Sequence, residues 1–209
     1  MSQTSGQVIY TVGHSNHEVE QFIKLLQSYS IDIVVDVRSA PYSQHCPQFN
    51  KNTIEQVLSN NGMKYLFLGK ELGARPDSQE CYEYNRVKYD KLKKTDLFRQ
   101  GIERLKDGAG KYIVTLMCSE KDPINCHRTI LISRVLKGEG IEVRHILDEN
   151  KTVSQNEIEE QLQKKFKLDP LLFDSAGAEQ ARIDEAYRKQ EVKITYSHNA
   201  EENKIVSEY

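Results

Sequence analysis

The sequence predicts an α/β fold: a mainly parallel sheet flanked by helices, in a single domain with a C-terminal helical extension. Three observations predict it. Short apolar segments of strand character alternate with segments whose apolar residues recur at helical spacing. The run Ile31 to Val37 is rich in β-branched residues, the composition of a strand buried on both faces of a parallel sheet. The segment Met117-Cys118-Ser119-Glu120-Lys121-Asp122-Pro123-Ile124-Asn125-Cys126-His127-Arg128 joins a strand to a helix, the junction where such folds place their chemistry.

Val8-Ile9-Tyr10-Thr11-Val12 reads as a first strand ending at Gly13, with Asn16 as a cap for a helix through Val19, Phe22, Ile23, Leu25 and Leu26. The second strand, Ile31 to Val37, stops at Asp36-Val37-Arg38-Ser39-Ala40-Pro41. A polar loop through Phe49-Asn50 leads to a helix with Ile54, Val57 and Leu58, stopped near Asn61-Gly62. Lys64 to Leu68 is a third strand. Between Gly69 and Asp90 the periodicity fails, which predicts a long loop with one helical turn, and long ordered loops are often functional. A helix from about Thr95 to Lys106 and a turn at Asp107-Gly108-Ala109-Gly110 precede the fourth strand, Tyr112 to Leu116. The Cys-rich loop, a helix to Leu136 and a strand Ile141 to Ile146 complete a core over residues 1–150. Residues 151–209 form the extension: two polar helical segments, Glu157 to Leu162 and Glu179 to Lys189, an edge strand at Lys193-Ile194-Thr195-Tyr196, and a frayed end from His198.

Lys and Arg number 29 against 31 Asp and Glu, a formal charge of −2. That balance excludes the global basic field of a DNA-coating protein but leaves room for a local basic cleft. No apolar stretch approaches the roughly 20 residues that cross a bilayer. Four dispersed cysteines do not make a secreted disulfide framework. The chain therefore reads as cytoplasmic, without a membrane partner and with reduced thiols.

Three clusters fall at strand ends, where one sheet brings them to one cleft. Gly13-His14-Ser15 offers backbone amides, an imidazole and a hydroxyl, a set that suits an anion as readily as a plain helix cap. Asp36-Val37-Arg38-Ser39 offers a guanidinium for phosphate or carboxylate, or equally an Asp36–Arg38 ion pair that fixes the loop. In the third, Cys118 ends a strand and Cys126-His127-Arg128 opens a helix, where a thiol beside His and Arg becomes nucleophilic, the alternative being Cys126 as a buried packing residue and His127 as a cap. Glu120 lies in the same loop. The expected catalytic residues are Cys118, Cys126, His127 and His14; Gly13, Ser15, Asp36, Arg38, Ser39, Glu120 and Arg128 are the expected substrate or anion ligands. No CxxC pair or HExxH is present, so no metal is expected. The absence of a Walker loop and of GxGxxG after a strand argues against ATP hydrolysis and dinucleotide redox chemistry.

Gly13-His14-Ser15, Asp36-Val37-Arg38-Ser39-Ala40-Pro41, Phe49-Asn50, Leu68-Gly69-Lys70-Glu71-Leu72-Gly73, Met117-Cys118-Ser119-Glu120 and Cys126-His127-Arg128 occur in that order. Together they resemble the prokaryotic domain of unknown function family 488, over about Val8 to Leu147. The helical extension to Tyr196 is similar to that of the longer members. The resemblance implies a fold and a site and carries no established activity. A looser likeness links Val34-Val35-Asp36-Val37-Arg38 and Val114-Thr115-Leu116-Met117-Cys118 to rhodanese-type sulfurtransferases and their phosphatase relatives. Here, however, Cys118 is followed by Ser-Glu-Lys-Asp-Pro and the arginine comes ten positions later, so the likeness concerns topology more than mechanism.

The functional expectation is an enzyme acting on a phosphate-bearing substrate, a nucleotide or nucleic-acid end. The alternatives are a nucleic-acid-binding accessory protein using Tyr82, Tyr84, Arg86, Lys88, Tyr89, Lys91, Lys93 and Lys94 to stack bases and hold phosphates, and a redox sensor joining Cys118 to Cys126. The cofactor and the oligomeric state are left open by the sequence.

Overall fold

Side-chain alternation along β1 (Val8–Gly13) sends Ile9 to one face of the sheet and Val12 to the other, and the helices follow from the need to cover both faces. The computed structural model describes residues 7–15, 17–168 and 176–197. After β1 come α1 (Val19–Ser28), β2 (Ile33–Asp36), α2 (Lys51–Asn60), β3 (Lys64–Phe67), α3 (Gly69–Leu72), β4 (Tyr82–Glu83), β5 (Arg86–Val87), α4 (Tyr89–Leu92), α5 (Asp96–Ala109) and β6 (Val114–Cys118). A π-helical turn, Arg128–Ser133, runs into α6 (Arg134–Gly138). Then follow β7 (Glu142–Asp148), β8 (Lys151–Ser154), α7 (Gln155–Lys165) and α8 (Ala176–Ile194). Among the described residues no helix is long and apolar enough to cross a membrane.

The six-stranded sheet has the order β3-β2-β6-β1-β7-β8, parallel except for the antiparallel edge strand β8. Phe22 and Leu26 of α1 with Ile54 and Leu58 of α2 meet Val12, Val34 and Met117 on one face. On the other, Phe98, Ile102 and Leu105 of α5, with Ile158, Leu162 and Tyr187 of the C-terminal helices, meet Ile9, Val35 and Leu116. The extension thus shares a core with the strands. Connections leave the adjacent strands β1 and β6 towards opposite faces, so the crevice between their carboxyl ends is the topological switch point. Gly13 of β1 pairs there with Cys118 of β6.

Several elements depart from the sequence reading. The segment predicted as a long loop between Gly69 and Asp90 contains α3 and a small β4–β5 hairpin. Its two-residue turn, Tyr84-Asn85, has both φ angles positive, at 49° and 60°. This is a primed turn reached without the glycine that usually announces it. The edges of the main sheet are β3 and β8, and the strand expected at Lys193-Ile194-Thr195-Tyr196 does not form: α8 runs to Ile194. In its place an isolated bridge joins Arg86 to Ser197, and the Val87 N–H donates to the Tyr196 carbonyl. The turn expected from Asp107 is the last part of α5, which Thr95 caps by accepting from the Phe98 amide. The α1 cap position is Glu18; Asn16 and the end from His198 lie outside the described residues.

Candidate active site

Two extensions of the strand ladder build the floor. The His14 amide donates to the Cys118 carbonyl and the Ser15 amide to the Ser119 carbonyl, both at 2.9 Å. The amides that the sequence offered to an anion are therefore spent on β6. Gly13 serves close approach instead: a Cβ there would lie 1.9 Å from the Glu120 carbonyl oxygen, a space that only glycine leaves free.

His14 and Arg38 form one buried unit with Asp36. Arg38 donates through Nε to Asp36 Oδ1 at 2.9 Å, and through Nη2 to Asp36 Oδ2 at 2.6 Å and to the Phe49 carbonyl at 2.8 Å. The Asp36 carboxylate also accepts from Tyr65 Oη at 2.7 Å. The ion pair that fixes the loop is thus the arrangement found, and Asp36 has no exposure to a substrate. His14 Nδ1–H donates to the Ser15 carbonyl, so Nε2 accepts from Arg38 Nη1 at 3.0 Å. Burial, with Arg38 beside it, lowers the His14 pKa to about 4, and the ring stacks on Phe49. His14 is a neutral ring that orients Arg38, and Arg38 lines the cleft. Ser39 Oγ accepts from the Arg75 amide at 2.9 Å.

Arg128 departs furthest from its expected role. It is fully buried, and it donates through Nη1 to the Glu120 carbonyl at 2.6 Å, through Nη2 to the Lys121 carbonyl and through Nε to Thr11 Oγ1, both at 3.3 Å. It grips the loop that follows β6 and has no face left for a substrate. Thr11 in turn donates to His145 Nδ1 at 2.8 Å, and His145 Nε2–H donates to Gln155 Oε1 at 2.7 Å. Gln155 donates to Tyr187 Oη, which donates to Glu159. This chain ties the loop to α7 and α8, and nothing in the sequence reading singled out His145, Gln155 or Tyr187. A histidine inside the apolar strand run Ile141 to Ile146 was the available signal.

Burial, reinforced by the Arg128 cation, pushes His145 down to about pKa 3 from 6.5. A depressed folded-state pKa gives stability that is complete above 6.5 and is lost as the pH falls towards 3. We expect urea-unfolding free energies to lose up to about 1.4 kcal/mol per pH unit from this site across that window, with His145→Gln showing a shallower slope. Identical slopes in the two proteins would remove His145 as the cause.

The centre of the site is the meeting of Cys118, Cys126 and His127. Cys118 Sγ lies 3.7 Å and Cys126 Sγ 3.9 Å from His127 Nδ1, while His127 Nε2–H donates to the Val37 carbonyl at 3.0 Å. That last bond fixes the ring so that Nδ1 faces the two sulfurs. A hydrogen bond from the Cys126 thiol, then His127 and Arg128, hold the Cys118 thiol well below its ordinary value; burial and the same contact push Cys126 well above its own. No disulfide joins any of the four cysteines, and Cys81, Cys118 and Cys126 all belong to one hydrophobic core cluster. The three donor atoms of Cys118, Cys126 and His127 lie within 4.8 Å of one another, and among the described residues this is the set that could hold a metal.

Above them opens a cavity of about 840 Å³, lined by Cys118, Cys126, His127 and Arg38, with Arg75 and Lys121 as further cations and Glu120 and Asp122 as acids. The sequence reading did not foresee Arg75, nor Ile194 and Tyr196, which close one side from the end of α8. Tyr89, grouped above with base-stacking residues, is buried in the cavity wall. Of its basic neighbours, Lys88 and Lys91 pair with Glu83 and Lys93 with Asp90, while Tyr84 points into solvent.

No curated protein matches the chain. A solved DUF442 protein of Shewanella putrefaciens CN-32, named as a candidate phosphatase, aligns at 13% identity over 90% of this chain and 91% of its own, with a TM-score of 0.35. That likeness is too slight to bear on mechanism. The model of the domain of unknown function DUF488 matches residues 18–135, a range that takes in Asp36, Arg38, Cys118, Cys126 and His127 and begins after Gly13-His14-Ser15. With more than half of its length matched, this chain belongs to the DUF488 family.

Proposed function

We propose that this chain is a thiol-dependent enzyme in which Cys118 is the nucleophile, acting on a small phosphate-bearing substrate such as a nucleotide or nucleic-acid end. One observation carries the reading: the Cys118 sulfur lies on the floor of an 840 Å³ cleft at the switch point of the sheet, 3.7 Å from an imidazole nitrogen whose ring is anchored from behind. In the proposed step a bond forms from Cys118 Sγ to the electrophilic atom as the leaving group departs. The Cys118 thiol gives its proton to His127 Nδ1 as it attacks, and the leaving group takes that proton from the imidazolium as it departs. The Arg38 guanidinium, with Arg75 and Lys121 of the cavity lining, supports the anionic part of the substrate. A nucleic-acid-binding role through Tyr82 to Lys94 has less support, since three of its lysines are already paired.

The test is brief exposure of the native protein to iodoacetamide at neutral pH, with each cysteine followed by mass spectrometry. Cys118 should label at least about tenfold faster than the comparably buried Cys81 and Cys126. Equal, slow labelling of the three would end the nucleophile reading. A second reading, a redox switch, is favoured by the approach of the two sulfurs to within 4.8 Å. Two-electron oxidation would join Cys118 to Cys126 with loss of two protons, and peroxide should then protect both from alkylation.

A further inference from the structure

The two sulfurs and the imidazole are arranged for more than proton exchange. Cys118, Cys126 and His127 present three soft or borderline donors within 4.8 Å of one another, all from the short segment between β6 and the π-helical turn. The histidine is held as metal-ligating histidines are held: its far nitrogen donates to a backbone carbonyl, Val37, which leaves Nδ1 unprotonated and turned inward. A second observation comes from a different element. Tyr89 at the start of α4 is 4% exposed, and its hydroxyl has no hydrogen-bond partner. It lines the same cavity as the two sulfurs and the imidazole. A buried hydroxyl without a partner is costly unless something meets it. A ligand or water on a cation in the nest would do so. The cleft leaves the fourth coordination position open, as in zinc sites with three protein donors.

We propose that Cys118, Cys126 and His127 bind one soft divalent cation, such as zinc, and that its occupancy withdraws the Cys118 sulfur from thiol chemistry. The cation site stands on the donor geometry; its regulatory consequence rests on the reading of Cys118 as the reactive thiol. Hard cations such as magnesium and calcium, which take oxygen ligands, should not compete.

The experiment uses the full-length chain, reduced and stripped with a chelator, then titrated with zinc alone and, in parallel, with cobalt(II) as a spectroscopic probe. Native mass spectrometry should show one zinc per chain. Cobalt should give thiolate-to-metal charge-transfer absorption in the near ultraviolet, lost in Cys126→Ser and His127→Ala and retained in Cys81→Ala. The wild-type cobalt spectrum does not depend on any variant folding. Zinc should slow alkylation of Cys118 at least about tenfold, reversibly on chelation. No stoichiometric zinc, or charge transfer that survives Cys126→Ser, would overturn the cation site; rapid Cys118 alkylation in that same metal-free protein would leave the proposed enzyme standing. Stoichiometric zinc with an inert metal-free Cys118 would keep the cation site and overturn both its regulatory role and the nucleophile.

Discussion

Arg38→Met is expected to destabilise the protein by about 3–5 kcal/mol, because it leaves the Asp36 carboxylate buried with its cation removed. The loss spreads beyond the pair. The Phe49 carbonyl and His14 Nε2 also lose their donor, and the His14 ring, stacked on Phe49, loses the contact that orients it. Urea unfolding followed by circular dichroism measures the deficit. The double variant Asp36→Asn with Arg38→Met should lose clearly less than the two single changes added together, since the charge stranded by one is removed by the other. A single variant within about 1 kcal/mol of the parent would mean that Asp36 finds another partner and that this pair does not hold the site.

Gly13→Ala is the second large effect, on the order of 3 kcal/mol, with displacement of the loop after Cys118. The Glu120 carbonyl is drawn by Arg128 directly over the Gly13 α-carbon, where a methyl group would lie 1.9 Å from its oxygen and 2.7 Å from its carbon. Both contacts are with backbone, so no side-chain rotation relieves them. Gly13→Ala should therefore lower the unfolding midpoint and slow Cys118 labelling together. An unchanged midpoint would show that the Arg128 grip on Glu120 is loose.

What could be read from the sequence divides along a physical line. Strands buried on both faces, such as Ile33–Asp36 and Val114–Cys118, show themselves through unbroken apolar composition, and their order with the helices implies an α/β sheet. The edge strand Lys151-Thr152-Val153-Ser154 has one aliphatic residue and no such pattern, so it escapes a reading by composition, which looks for the edge at Lys193 to Tyr196 instead. The hairpin at Tyr84-Asn85 is invisible because its left-handed turn uses no glycine. In the site, the meeting of Cys118, Cys126 and His127 is legible because all three lie within one strand–loop–helix unit. The roles of the arginines are not. Motif spacing places a guanidinium near a cleft but does not say whether it faces substrate or, like Arg128, the carbonyls of its own loop. Those partners are main-chain atoms, which carry no residue identity. His145 is hidden for a related reason, since its partners Thr11 and Gln155 lie 134 and 10 residues away.

The loop that carries the thiols is fastened from both sides. Arg128 holds its Glu120 and Lys121 carbonyls, and Gln190 of α8 reaches across to the Ile124 carbonyl at 2.8 Å and the Asn125 side chain at 3.0 Å. Conformational freedom that a flexible loop would surrender on meeting its ligand is here surrendered once, when the chain folds. Encounter with a ligand then needs little rearrangement of the sulfurs, so affinity in this cleft is set by the interactions the ligand itself makes rather than diminished by ordering. Through Gln190, a helix beyond the region shared with the family helps keep the loop between the two cysteines in place.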